Sequence, residues 1–183
     1  MNEDQIAEHI RNTPPICVNG FHLTTAHLPE PWDNNFTTVY RLNCKCGSGA
    51  ATILGHPLRD YNPDCDDNDE DLITPLGFQC SQCNIITEII DTDIHGYHSE
   101  VAKLEGDIRS VKYRGDGSRT KYKCPKCSTT TFKDVTVGFV YWDFDIMIDE
   151  PELPGQEFFN VFLFYVSCQS CGHVSRAIDL GKL

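Results

Sequence analysis

The chain has 183 residues, 40% of them hydrophobic and 23% charged, which excludes a mainly disordered tail, a collagen-like repeat and a coiled coil. That length suits one domain or two small ones. With 15 Lys+Arg against 27 Asp+Glu the net charge is −12, a balance that disfavours nucleic acid and favours a protein partner with a basic surface.

No basic segment followed by an apolar stretch opens the sequence, and its longest fully apolar run is Val161 to Val166. A bilayer span needs ~20 such residues, so the expectation is a cytoplasmic protein with no membrane segment.

In chain order, Asn2 to Arg11 reads as a short helix with Asn2 as its cap. The stretch from Ile16 to Leu23 has the signature of a strand, an Asn-Gly turn at Asn19-Gly20 and a returning strand. A strand from Thr38 runs into Cys44-Lys45-Cys46, and Ala50 to Leu54 reads as the next strand. The acidic stretch from Asp64 to Leu72 lacks the EF-hand pattern, because its sixth position is Asp69 and its twelfth Pro75, and it reads as a solvated loop. A strand then enters Cys80-Ser81-Gln82-Cys83 and another leaves it toward Asp91. Asp91, Asp93, His95, His98 and Glu100 follow, and the expected role is a turn at Gly96 with Tyr97 packed down and Ser99 capping a helix to Ile108. Residues 109–126 hold seven bases and one acid, whereas residues 60–102 hold 11 acids and no Lys or Arg. The basic linker is therefore expected to lie across acidic faces of its neighbours. After Cys124-Pro125-Lys126-Cys127, the stretch from Val135 to Asp149 alternates as a half-buried strand with Trp142 on the apolar face. Phe158 to Val166 is apolar on both faces and reads as a central strand, entering Cys168-Gln169-Ser170-Cys171.

Eight of the ten cysteines thus fall in four close pairs, with Cys17 and Cys65 left over. In a reducing compartment such pairs are metal-ligand turns rather than a disulfide framework. A short turn aims two thiolates at one point, and a second turn completes a tetrahedron around zinc with Zn–S near ~2.3 Å. Pairing in chain order assigns Cys44, Cys46, Cys80 and Cys83 to one Zn²⁺, and Cys124, Cys127, Cys168 and Cys171 to a second. Both sites are closed and therefore structural. Lys45, Lys123 and Lys126, beside the turns, are expected to offset thiolate charge.

The two halves echo one another: Ile86 matches Val174, Ile89 matches Ala177, Ile90 matches Ile178 and Asp91 matches Asp179. Cys124-Pro125-Lys126-Cys127 and Cys168-x-x-Cys171-Gly172-His173 resemble the knuckles of zinc-ribbon proteins. The resemblance implies a fold unit of hairpins with metal between them and assigns no activity. The expected fold is mainly β with short helices, built as two zinc-ribbon-like β modules related by an internal pseudo-repeat. Residues 1–36 form an N-terminal helix and hairpin packing on the first module, 37–98 the first module, 99–120 a helical and basic linker, and 121–183 the second module. The expected function is a non-enzymatic, zinc-stabilised acidic protein that engages a protein partner, as an adaptor or an immunity-type inhibitor. A nucleic-acid or transcription-associated role would use residues 109–126, with Tyr113 and Tyr122 as stacking residues. A metal-dependent enzyme would be built around His95 and His98.

Overall fold

The computed structural model describes residues 3–30, 36–61, 71–97, 99, 113–142 and 157–181. Helix α1 (Glu3–Asn12) buries Ile6, Ala7 and Ile10, an apolar stripe at helical spacing, against the sheet. Nine strands follow: β1 (His22–Thr25), β2 (Thr37–Asn43), β3 (Ala51–Pro57), β4 (Leu72–Cys80), β5 (Ile86–Ile90), β6 (Thr120–Lys121), β7 (Phe132–Val140), β8 (Val161–Cys168) and β9 (Val174–Gly181). They form a curled antiparallel sheet, and the fold is mainly β. No helix among the described residues is long and apolar enough to cross a membrane.

Burial follows the pattern of each strand. In β2, Tyr40 and Leu42 are buried while Arg41 between them is exposed, the period-two signature of a half-buried strand. In β8 both faces are covered: Phe162, Phe164, Val166 and Cys168 lie in the main core, while Val161, Leu163 and Tyr165 join Val140 and Leu28 in a second cluster. That is the central strand its composition implies, with β7 on one side and β9 on the other. At the centre of the core the ring of Phe139 stands 4.9 Å from Phe159, 5.5 Å from Phe162 and 6.3 Å from Tyr40.

The pairing between the halves is reciprocal. Strands β3 and β7 each follow the first metal turn of their half, and they meet through Ala51 opposite Phe132. Each of those residues stands five positions after the second cysteine of its turn, so equivalent positions face one another as a two-fold relation requires. Beyond that point the leading strands are exchanged: β2 of the first half pairs with β7, and β6 of the second half pairs with β3. On the outer flanks β4–β5 and β8–β9 are matching hairpins. The repeat extends to burial: Ile89, Ile90, Ala177 and Ile178 are all buried, while Ile86 and Val174 are 48% and 43% exposed.

Two local expectations need correction. Ile16–Val18 is a 3-10 turn rather than the first arm of a hairpin. Pro15 precedes it and accepts the Val18 N–H at 3.1 Å, and the Ile16 N–H goes to Glu157 Oε1 at 2.7 Å, so this backbone has no strand to pair with. Of the strand placed from Val135 to Asp149, residues 143–149 lie outside the described residues, and the described strand runs from Phe132 to Val140. Trp142 lies just past it and is 45% exposed, because the Trp142 N–H is taken by the Asn160 side chain at 2.7 Å instead of a ladder carbonyl. The helix expected from Ser99 to Ile108 lies, Ser99 apart, outside the described residues, as do Asn2, Cys65 and most of the acidic loop.

Candidate metal centres

All four cysteine pairs sit where a strand ends and the chain reverses. The three CxxC turns are built alike. The first cysteine donates its N–H to the carbonyl five residues on: Cys80 to Ile85, Cys124 to Thr129 and Cys168 to His173, at 2.8–3.0 Å. Its own carbonyl accepts from the residue four on, Asn84, Ser128 or Gly172, at 2.8–3.1 Å. That residue is left-handed in every case, with φ of +59°, +58° and +69°. Cys44-Lys45-Cys46 is the same turn one residue shorter: Cys44 N–H reaches Ser48, Gly47 N–H returns to Cys44, and Gly47 has φ +93°. The short spacing therefore costs the first site none of its geometry.

These turns bring the sulfurs together in two quartets. Cys44 lies 3.5 Å from Cys83 and Cys46 lies 3.5 Å from Cys80; Cys124 lies 3.7 Å from Cys171 and Cys127 lies 3.5 Å from Cys168. Within each quartet all four sulfurs lie within 4.8 Å of one another, so each can hold a metal ion. Sulfurs ~2.3 Å from one tetrahedral ion stand roughly 3.8 Å apart, close to these separations. A disulfide needs ~2.05 Å, and the eight cysteines are free thiols.

The quartets hold negative charge unevenly. Burial raises the Cys80 thiol, but the N–H groups of Cys83 and Gln82 outweigh it and bring it down to about 6. The N–H of Cys171 is the main cause that brings Cys168 down to about 6. Cys127 is eased down by the Thr129 N–H, yet its hydrogen bond to Cys168, burial and its other neighbours push it up to about 12. A first thiolate is thus stabilised and further ones are opposed by crowding, which a divalent cation at the centre would reverse. Cys17 is buried apart from both quartets, and burial, then Glu157, push its thiol well up, so it is no nucleophile.

Sequence reasoning singled out only Gly172 among the four left-handed residues. Asn84 carries a signal of its own, since Asn tolerates this conformation; Ser128 carries none. Ser128→Gly is accordingly expected to stabilise the metal-loaded protein by about 0.5–1 kcal/mol. A thermal melt should move up by roughly 1–4 °C, and an unchanged or lower Tm would count against strain at this turn.

The Lys45 ammonium donates to the Phe21 carbonyl at 2.9 Å. The basic segment does reach acids of the first half. Residues 113–115 lie beside Thr74, which donates its N–H to the Tyr113 carbonyl at 2.9 Å and accepts from the Gly115 N–H at 2.8 Å. Gly115 fits because a Cβ there would stand 2.4 Å from the His56 ring. Arg114 is thereby placed with Nε 3.1 Å from both oxygens of the buried Asp91, 3.5 Å from Asp93, and Nη1 2.8 Å from Asp116. Arg119 reaches Glu88 at 3.3 Å. Arg114→Ala leaves the Asp91 carboxylate buried without its cation. Breaking a buried pair costs about 3–5 kcal/mol, and the one-third exposure of Arg114 reduces the expected loss to about 1–3 kcal/mol. Chemical denaturation with Asp91→Asn as second member of the cycle measures it; additive losses would mean the pair contributes nothing.

His95 turns back on this loop, its Nδ1 accepting from the Asp91 N–H at 3.1 Å. Gly96 has φ +93°, Tyr97 packs edge-on to Phe158 at 6.3 Å, and the Ser99 hydroxyl bonds the Asp93 carbonyl at 3.2 Å. His98 and Glu100 lie outside the described residues. Among the described residues only the two cysteine quartets gather three or more metal-ligating groups. Tyr122, expected as a stacking residue, is 4% exposed and lies against Phe132, and Tyr113 packs partly buried on the core.

Comparison of the chain with family models, curated proteins and solved structures gives no match, so the two quartets stand on their geometry alone.

Proposed function

We propose that this chain carries two structural zinc ions on zinc-ribbon-like knuckles and acts as a non-enzymatic acidic protein that binds a basic protein surface. The observation behind this reading is the closure of both quartets: four thiols per site leave no position for water or substrate. Thiolate ligands in a tetrahedral set suit zinc or iron, and zinc is favoured because nothing else in the set asks for redox chemistry. The ions would hold the ends of the strands and do no chemistry on a ligand. A net charge of −12 supplies the attraction to a basic partner, in the manner of an adaptor or an inhibitor acting in the cytoplasm.

Elemental analysis of protein purified without added metal is expected to return two zinc per chain. One equivalent or less, or iron, would overturn the cofactor assignment. Cross-linking in the native host followed by mass spectrometry is expected to return a basic protein whose capture weakens with salt. An acidic or salt-insensitive partner would sink the charge argument.

The nucleic-acid reading is weakened by Arg114 and Arg119, which face Asp91, Asp93, Asp116 and Glu88. Binding to DNA or RNA is expected to vanish by about 0.15 M salt, since few phosphates would be neutralised. Submicromolar binding in that salt would restore it.

A further inference from the structure

The basic segment divides into two parts with different fates. Its described arginines, Arg114 and Arg119, pair with acids, while the side chains of Lys121 and Lys123 make no ion pair or hydrogen bond with any described residue. Strand periodicity sends Lys121 and Lys123 out on one side and Tyr122 into the core between them. Both lysines are exposed. Arg59, on the short turn Leu58–Asp60 that follows β3, stands across from them, its side chain 79% exposed and its Nε 3.9 Å from the exposed Asp60. With Pro57 and Leu72 these three cations border a cavity of about 250 Å³.

Three cations border one concavity, and among the described residues only Arg59 has an acid within 4 Å, so the site offers an anion a largely uncompensated positive field. An Arg fork and two Lys point charges match the oxygens of a phosphoryl group. Pro57 and Leu72 add an apolar wall that a bare anion would not use. The volume lies below the roughly 300–1,000 Å³ that drug-sized ligands occupy, which sets the ligand small. A long polyanion would meet the acidic remainder of the surface, whereas a small ligand meets only the cavity.

We propose that the cavity bordered by Arg59, Lys121 and Lys123 binds the phosphoryl group of a small phosphomonoester. Lys123 adjoins Cys124 of the second quartet, but the proposal depends neither on which metal the quartet holds nor on the protein partner.

Calorimetric titration of the metal-loaded full chain with phenyl phosphate and with inorganic phosphate, at about 0.15 M salt, is the test. Phenyl phosphate is expected to bind, and inorganic phosphate to bind more weakly because it leaves the apolar wall unused. Lys121→Ala and Lys123→Ala should each weaken the ester about tenfold or more. Lys133→Ala, an exposed base on β7 that neither borders the cavity nor lies in a cysteine turn, should leave it unchanged. Absence of phenyl phosphate binding would overturn the proposal, as would an equal loss in Lys133→Ala, which means a diffuse charge effect. Tighter binding of a short single-stranded oligonucleotide would overturn it in favour of a nucleic-acid surface. Binding that emerges only after Asp64, Asp66, Asp67, Asp69 and Glu70 are neutralised would also overturn it, because the cations would then be answering the chain's own acids.

Discussion

Cys168→Ser is expected to leave the chain unfolded at ordinary temperature, with or without added zinc. Cys168 is fully buried at the end of β8, opposite Phe132 on β7, and its backbone closes the last knuckle through the His173 carbonyl. The Cys171 N–H also favours its thiolate form. A serine hydroxyl stays protonated and cannot replace it as a ligand. Structural zinc contributes an apparent ~10–16 kcal/mol that is coupled to folding, as much as or more than the ~5–15 kcal/mol by which a whole domain is stable. Cys17→Ser buries a hydroxyl in place of a thiol and is expected to cost about 1–3 kcal/mol, with metal content unchanged. Circular dichroism and elemental analysis of the two variants side by side decide the matter. A folded Cys168→Ser protein with its melt near wild type would remove the second site from the account of stability.

The next largest loss is expected from Phe139→Ala, about 3–5 kcal/mol. Phe139 lies on the strand that both halves share, with Thr38 opposite on β2 and Phe162 opposite on β8. Its ring touches Phe159, Phe162 and Tyr40, and it is completely buried. Truncation opens a cavity between Tyr40 of β2, Phe162 of β8 and Phe159 just before β8, and rings held on a sheet collapse poorly into such a space. Denaturation must be compared at one fixed free zinc concentration, because ligand binding adds to apparent stability. A loss under about 1 kcal/mol would mean that the aromatic cluster does not carry the core.

The metal quartets were legible because ligand spacing is a local property. Two thiols two or three residues apart constrain one turn, and that constraint is written in the sequence. The same holds for β8, whose apolar residues on both faces announce a strand with neighbours on each side. Partnership between distant strands is not local. Nothing in Thr37–Asn43 distinguishes pairing with its own half from pairing with β7, since alternation fixes which side chains point inward and not which strand lies alongside. Asp91 was visible as one member of a repeated pair with Asp179, yet its burial follows from Arg114, which a separate stretch of chain brings to it through Thr74. The Asn-Gly signal at Asn19-Gly20 was overridden for a similar reason: Glu157, 141 positions away from Ile16, takes the N–H a strand would have used.

The exchange of leading strands sets the order in which a nascent chain can mature. The four sulfurs of the first quartet have all been made once Cys83 leaves the peptidyl-transferase centre, but β2 has no strand to pair with on its inner side until Phe132–Val140 follows. At ~5–20 residues per second that wait lasts about 3–10 s, during which Tyr40 and Leu42 lack their cover and an open edge is presented to neighbouring chains. Early loading of the first knuckles with metal would shorten the exposed stretch without closing it. Ribosome-bound chains arrested before Phe132 should therefore remain open to protease and draw chaperones even in zinc, and chains extended past Gly181 into a tether should not. Resistance of the shorter chains would mean that the first half covers its own edge.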